Sequence, residues 1–216
     1  MVVLGYTAKR GLEKMLPKSR SQDHEDEIIY KLLGEPKMGY FVDVGAYHPR
    51  TLSVTWSFKQ IGWRGISIEP DVEMWEELKK ANPDDHNVCC AIGLIPGSVR
   101  MLISGPGSTM NKAAAERRGK GEWRMVEVKR LDSVIEEAPP PEGLKWFLKV
   151  DVEGQEDDVL KSNDWKLYRP DVICVEIFQP YSARKVRTET NYLETVGYKK
   201  VFEQGNNGYY IPEEKS

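Results

Sequence analysis

The sequence is poor in the residues that staple or bridge a fold. Its three cysteines, Cys89, Cys90 and Cys174, show no C-x-x-C spacing, so neither a disulfide framework nor a cysteine zinc site is expected. It also lacks any apolar run near the ~20 residues needed to span a bilayer. Met1 to Leu16 alternates apolar residues with Lys9, Arg10 and Lys14, which is not the core of an export signal, so the cytoplasm is the expected compartment. Nor is there an excess of one charge. With 31 basic and 34 acidic residues and a formal charge of -3, long-range attraction to nucleic acid or anionic lipid is absent, and a polyanion partner would need a local patch. No internal repeat and no low-complexity segment is present. What remains is 216 residues, 40% hydrophobic and 30% charged, a composition that folds alone in water as one α/β domain over residues 1–216.

Periodicity orders that domain. Within an N-terminal helical segment, residues 1–38, Ile28, Ile29, Leu32 and Leu33 have helical spacing, and Gly34 and Pro36 stop the helix. Tyr40 to Gly45 is a strand buried on both faces, Leu52 to Ile61 a helix, and Gly65 to Glu69 a second strand. Asp71 caps a helix running to Lys80, and Asn87 to Ile92 is a third strand. The alternation β-α-β-α-β calls for a parallel sheet. Val99 to Ile103 and Arg124 to Lys129 form an inserted strand pair. Between them, residues 104–122 form a glycine-flanked mobile loop or lid whose basic surplus suits either a solvated surface or a substrate-facing cover. Leu131 to Glu137 is a short helix, Trp146 to Val150 a fourth strand, Gln155 to Lys161 a helix, Asp171 to Phe178 a fifth strand and Arg184 to Val196 a helix. Tyr198 to Glu203 and Gly208 to Ile211 flank Gly205-Asn-Asn-Gly208 and close the chain as an antiparallel hairpin.

In such a sheet ligands gather beyond the carboxyl ends of the strands, and those ends are polar here. They carry Asp43 and Gly45-Ala-Tyr-His48, then Glu69-Pro70-Asp71, then Asp151-Val-Glu153, and Glu176. Gly45 permits close approach of a ligand to backbone, but Tyr47 and Arg50 stand where a dinucleotide fingerprint has its later glycines, which disfavours a nicotinamide-dependent oxidoreductase. Glu69 lies 24 residues after Gly45, near the ~20 expected of the acid that holds a ribose diol. An adenosine held by its sugar, without a phosphate cradle, points to S-adenosylmethionine.

Several segments in order resemble the FkbM-type S-adenosylmethionine-dependent methyltransferases: Ser21-Gln22-Asp-His-Glu25-Asp26, Phe41-Val-Asp-Val-Gly-Ala-Tyr-His-Pro49, Gly62-Trp-Arg-Gly65-Ile-Ser-Ile-Glu-Pro70, Cys90-Ala-Ile-Gly93, Leu148-Lys-Val-Asp-Val-Glu-Gly154-x-Glu156 and Arg169-Pro-x-Val-Ile-x-Val-Glu176. His24 departs from the glycine that relatives often carry there. The resemblance implies a class I methyltransferase fold, a doubly wound Rossmann-like sheet of seven strands, mostly parallel with a C-terminal antiparallel hairpin. It implies cofactor contacts at Asp43, Gly45 and Glu69 with their neighbours Ala46, Pro70, Ala91 and Ile92. It also implies transfer to a hydroxyl of a sugar, glycoconjugate or polyketide-like acceptor, a deoxyhexose such as fucose or rhamnose among them.

Methyl transfer from a sulfonium needs alignment and removal of one proton. Asp151 and Glu176, neighbours across the sheet, support two readings. The pair holds a Mg²⁺ that binds a diol, or Asp151 or His48 takes the proton directly. Against these stand plainer roles: His48 as a hydrogen-bonded structural histidine, Glu153 as a turn residue, and Glu156, Asp157 and Asp158 as acids complementing a helix dipole. Trp123 and Tyr181 are candidates to stack on a sugar face, whereas Trp56, Trp63, Trp75 and Trp146 are expected in the core. The rival functions are a nucleoside-binding module without chemistry and an RNA methyltransferase resting on the basic loop.

Overall fold

The computed structural model describes residues 16–110, 116, 120–179, 186–187 and 191–213. α1 (Glu25–Leu32) leads into β1 (Gly39–Val44), α2 (Thr55–Gln60), β2 (Arg64–Ile68), α3 (Val72–Ala81), β3 (His86–Val88) and β4 (Ala91–Ile92). β5 (Gly97–Ile103) and β6 (Glu122–Lys129) precede α4 (Leu131–Glu137), β7 (Lys145–Val150), α5 (Glu156–Lys161) and β8 (Val172–Glu176). β9 (Phe178–Gln179), β10 (Val186–Arg187), α6 (Asn191–Thr195), β11 (Tyr198–Gln204) and β12 (Asn207–Pro212) follow.

The main sheet has seven strands in the order β3-β2-β1-β7-β8-β12-β11. The first five run parallel, and β12 and β11 are antiparallel to their neighbours. This is the doubly wound class I sheet with its reversed final strand, and the crossover from β1 outward in both directions opens a crevice at the β1–β7 junction. Alternation along the strands feeds two cores. Val42, Val44, Leu148, Val150, Ile173 and Val175 face α4, α5 and α6, while Phe41, Phe147 and Val172 face α1 and α2. In the second layer Phe58 meets both Trp63 and Phe147 at 4.8 Å between ring centres. Gly39 admits the Trp63 ring, which a side-chain carbon there would strike at 2.3 Å.

The structure corrects four element boundaries. The expected third strand, Asn87 to Ile92, is two: β3 pairs with β2 in the main sheet, whereas β4 leaves it to pair with β6 in a three-stranded sheet ordered β4-β6-β5. The helix expected from Leu52 begins only at Thr55, because Leu52 is left-handed at φ 58 and the Ser53 hydroxyl accepts the Trp56 N–H. The fifth strand stops at Glu176, since Ile177 donates instead to Asn206 O at 2.8 Å. In the stretch Arg184 to Val196, expected as one helix, Val186 and Arg187 pair with β9 and Asn191–Thr195 form α6, while residues 184–185 and 188–190 lie outside the described residues. Trp63 and Trp146 are buried as expected, but Trp56 and Trp75 are half-buried.

Candidate active site

A cavity of about 400 Å³ opens beyond the carboxyl ends of β1, β2, β7 and β8. The β1 turn supplies its floor. Gly45 sits at φ 81, and Gly45 and Ala46 both donate to Ile68 O, at 3.0 and 3.1 Å, which ties the turn to β2. At the end of β2, Glu69 is 5% exposed. Its Oε2 accepts the Tyr47 N–H at 2.7 Å and its Oε1 the Asp71 N–H at 2.9 Å. Burial raises this carboxyl to about 7, against the opposing pull of those two N–H groups. Each oxygen keeps a lone pair for a donor in the cavity.

Just before the strand ends, the register sets Ser67, Asp43, Lys149 and Cys174 in a row across the sheet. Lys149 is the cation of this row and one that the sequence analysis overlooked. Its Nζ donates to Gly45 O at 3.1 Å and lies 3.5 Å from Asp43 and 3.4 Å from Asp151. Burial works against its charge, but Asp151 and Asp43 overcome that and hold it above the usual lysine range. Asp43, 1% exposed, is pushed up by burial and pulled back by Lys149 and Lys59. Lys149 alone in the row reaches the cavity wall. Asp43, expected at a cofactor, lies behind the wall and meets the cavity only through its ion pair with Lys149.

Asp151, Glu153 and Glu176 line the other half of the cavity. Burial, and then the charges of Asp151, Glu153 and Glu156, push Glu176 well above the usual carboxylate range, which favours its neutral form. Beyond it the wall is made by Gln22, Glu25, Asn206 and Asn207. The Asn207 amide donates to Glu25 at 3.3 Å and the Gln204 amide to Asp23 O at 2.7 Å, so the entry into α1 is docked on the hairpin of β11 and β12. Residues 104–110 form the roof. Leu102 and Thr109 exchange backbone hydrogen bonds, Ser104 and Ser108 bond within the turn, and Thr109 Oγ1 donates to Glu153 O at 2.9 Å. The remainder of the expected lid, residues 111–115 and 117–119, lies outside the described residues.

Among the expected contacts, Gly45, Ala46, Glu69, Pro70, Ala91, Ile92, Asp151 and Glu176 all line the cavity. His48 does not. Its Nδ1 accepts the Arg50 and Thr51 N–H groups, each at 3.0 Å, and the plainer structural role is the one its geometry serves. Trp123 is likewise off the cavity, exposed on the second sheet with the Arg100 guanidinium 5.1 Å from its ring centre, and Tyr181 lies outside the described residues. The Mg²⁺ reading finds no support in the donor set. Among the described residues no three His, Cys, Asp or Glu side chains converge to hold a metal ion, and the ammonium of Lys149 already stands beside Asp151. A chelator is accordingly expected to leave ligand binding and turnover unchanged, as assayed with and without EDTA. Among the described residues no helix is long and apolar enough to cross a membrane.

The model of the methyltransferase FkbM domain matches residues 43–200 of this chain. No curated protein matches it. Among solved structures it is similar to methyltransferase FkbM from Methylobacillus flagellatus KT, at 16% identity over 81% of this chain and 44% of that one, with a TM-score of 0.48. It is also similar to precorrin-6y C5,15-methyltransferase from Geobacter metallireducens GS-15, at 14% identity over 91% of each chain and a TM-score of 0.41. The chain thus spans less than half the length of the first of these.

Proposed function

Because the chain belongs to the methyltransferase FkbM family, we propose that it moves a methyl group from S-adenosylmethionine to a hydroxyl of a sugar or glycoconjugate. One observation carries this reading: a single cavity joins a buried carboxylate with two free lone pairs, Glu69, to a carboxylate base, Asp151, across the β1–β7 junction. Glu69 suits a ribose diol, the open backbone at Gly45 suits a ligand lying across the β1 turn, and Ala91 and Ile92 offer apolar surface to a base.

S-adenosylmethionine supplies an activated methyl on a sulfonium, so the chain's task is alignment and proton removal. Asp151, 40% exposed and beside Lys149, accepts the acceptor's hydroxyl proton as the new C–O bond forms. Glu176 in its neutral form donates a hydrogen bond without adding a second negative charge there. The side-chain amides of Gln22 and Asn206 both donate and accept, as recognition of hydroxyl pairs requires.

Calorimetric titration with S-adenosylhomocysteine, repeated with NADH, is the direct test. Binding of the first alone is the expected result, and binding of NADH alone would overturn it. Glu69→Ala is expected to weaken S-adenosylhomocysteine by roughly 1.5 to 3 kcal/mol through loss of charge-assisted hydrogen bonds. Equal affinity would remove the ribose assignment. The same carboxyl sets a pH dependence. Ribose hydroxyls donate, so they favour ionised Glu69, and protonation competes with binding. Affinity is therefore flat above the value of about 7 and falls by up to about tenfold per pH unit below it. Titrations between pH 5.5 and 8.5, spanning roughly that range, check the slope.

A further inference from the structure

Glu156 opens α5 and, read as sequence, merely complements a helix dipole. Its side chain is placed otherwise. It is 1% exposed and turned back under the loop that follows β7, where its Oε1 accepts the Val152 N–H at 3.2 Å and the Gly154 N–H at 2.9 Å. The loop it holds is strained. Glu153 is left-handed at φ 57, a conformation that an L side chain adopts at a cost, and Gly154 follows at φ 107. Two anchors keep it there: Thr109 of the roof binds the Glu153 carbonyl from above, and Glu156 binds the flanking N–H groups from below. This loop carries Asp151 and Glu153 onto the cavity wall, yet Glu156 itself is not part of that wall.

We propose that Glu156 is a positioning residue, whose carboxylate fixes the strained 152–154 turn and thereby aims Asp151 and Glu153 at the acceptor. A helix-dipole role needs only a charge near the first turn. Burying the carboxyl against two specific N–H donors exceeds that need. Its Oε2 is buried without a hydrogen-bond partner, so one oxygen does all the work and an amide can replace the acid. The titratable groups facing it are the carboxylate of Asp151, just past β7, and the carboxyl of Glu176 at the end of β8, whose neutral form is favoured. Burial is the main cause that raises Glu156 to about 7, with Asp151 adding to it. An ionised oxygen is the stronger acceptor, so the grip on the turn loosens as pH falls through that value.

The test uses the full chain as wild type, Glu156→Gln and Glu156→Ala. Residue-resolved amide exchange reports the turn, calorimetry with S-adenosylhomocysteine reports the cofactor half, and methyl transfer to methyl α-L-rhamnoside reports turnover, the last resting on the function proposed above. In Glu156→Ala, protection at Val152 and Gly154 and kcat are each expected to fall about 100-fold, with cofactor affinity within about twofold of wild type. In Glu156→Gln both recover to within about tenfold, and the decline of kcat below pH 7 is shallower than in wild type. Unchanged protection in Glu156→Ala, or a glutamine variant as impaired as the alanine one, overturns the proposal. If the alanine variant does not fold, the glutamine variant decides: exchange at Val152 and Gly154 as fast as in an unfolded chain overturns it. Failure of every form to bind S-adenosylhomocysteine, with exchange following the expected pattern, removes the cofactor reading and leaves the positioning role supported. Absence of transfer to the rhamnoside counts against the sugar reading only, and the exchange pattern then decides.

Discussion

Asp151→Asn is expected to lower turnover about 100-fold or more while leaving S-adenosylhomocysteine affinity within about twofold of wild type. The substitution keeps size and shape but removes the proton acceptor. It leaves the cofactor half, at Gly45 and Glu69, without a changed contact, since Asp151 joins the β1 turn through backbone: its N–H donates to Val44 O at 3.1 Å. Lys149 loses one of its two anions but keeps Asp43 and the Gly45 carbonyl. Radiolabelled methyl transfer together with calorimetry separates the two effects. Unchanged turnover would take Asp151 out of the mechanism, and a parallel loss of cofactor affinity would make it a binding residue.

Gly45→Ala should be a strongly damaging small substitution. A side-chain carbon at Gly45 would lie 1.9 Å from the Asp151 carbonyl oxygen, and the residue holds φ 81. The obstacle is backbone, which no rotamer change can move aside. The left-handed conformation costs an L residue about 1 to 2 kcal/mol, and forced displacement of packed backbone adds about 1 to 3 kcal/mol more. Urea denaturation should therefore show a loss of about 3 kcal/mol or more, accompanied by loss of detectable S-adenosylhomocysteine binding. Stability within about 0.5 kcal/mol of wild type would mean that the β1 turn and β7 can separate at little cost.

The sheet was legible because its strands announce themselves. Tyr40 to Gly45 and Trp146 to Val150 are short runs buried on both faces; the observed β1 is shifted by one residue, and β7 starts one residue earlier than expected. The polar strand ends were legible for the same reason, which is why Gly45, Glu69, Asp151 and Glu176 fall on one cavity. Pairing partners were not. Nothing local in Cys89 and Cys90 says that the chain changes sheets there, because that depends on β6, more than thirty residues on. Lys149 escaped notice since a lysine inside a strand reads as an edge or surface residue, and only the register that sets it beside Asp43 reveals a buried counter-ion. Glu156 shows a related limit: spacing shows where a residue enters a helix, but not that its side chain folds back over the preceding turn.

The docking of the entry into α1 onto the final hairpin also bears on how the molecule assembles. The bonds from Gln204 to Asp23 and from Asn207 to Glu25 join positions 181 and 182 residues apart. These are among the longest loops the chain closes, and closure entropy rises with loop length, by about 0.6 kcal/mol for each doubling. The β1–β2 pairing that frames Gly45 and Glu69 closes over a far shorter stretch, with Val44 opposite Ile68. Loop length thus favours early order in the framework around Glu69 and late closure of the wall that bears Gln22 and Asn206. The two sides of one cavity therefore stand at opposite ends of the chain's contact order, and the wall bearing Gln22 and Asn206, proposed to take the acceptor, is the first that local opening would release.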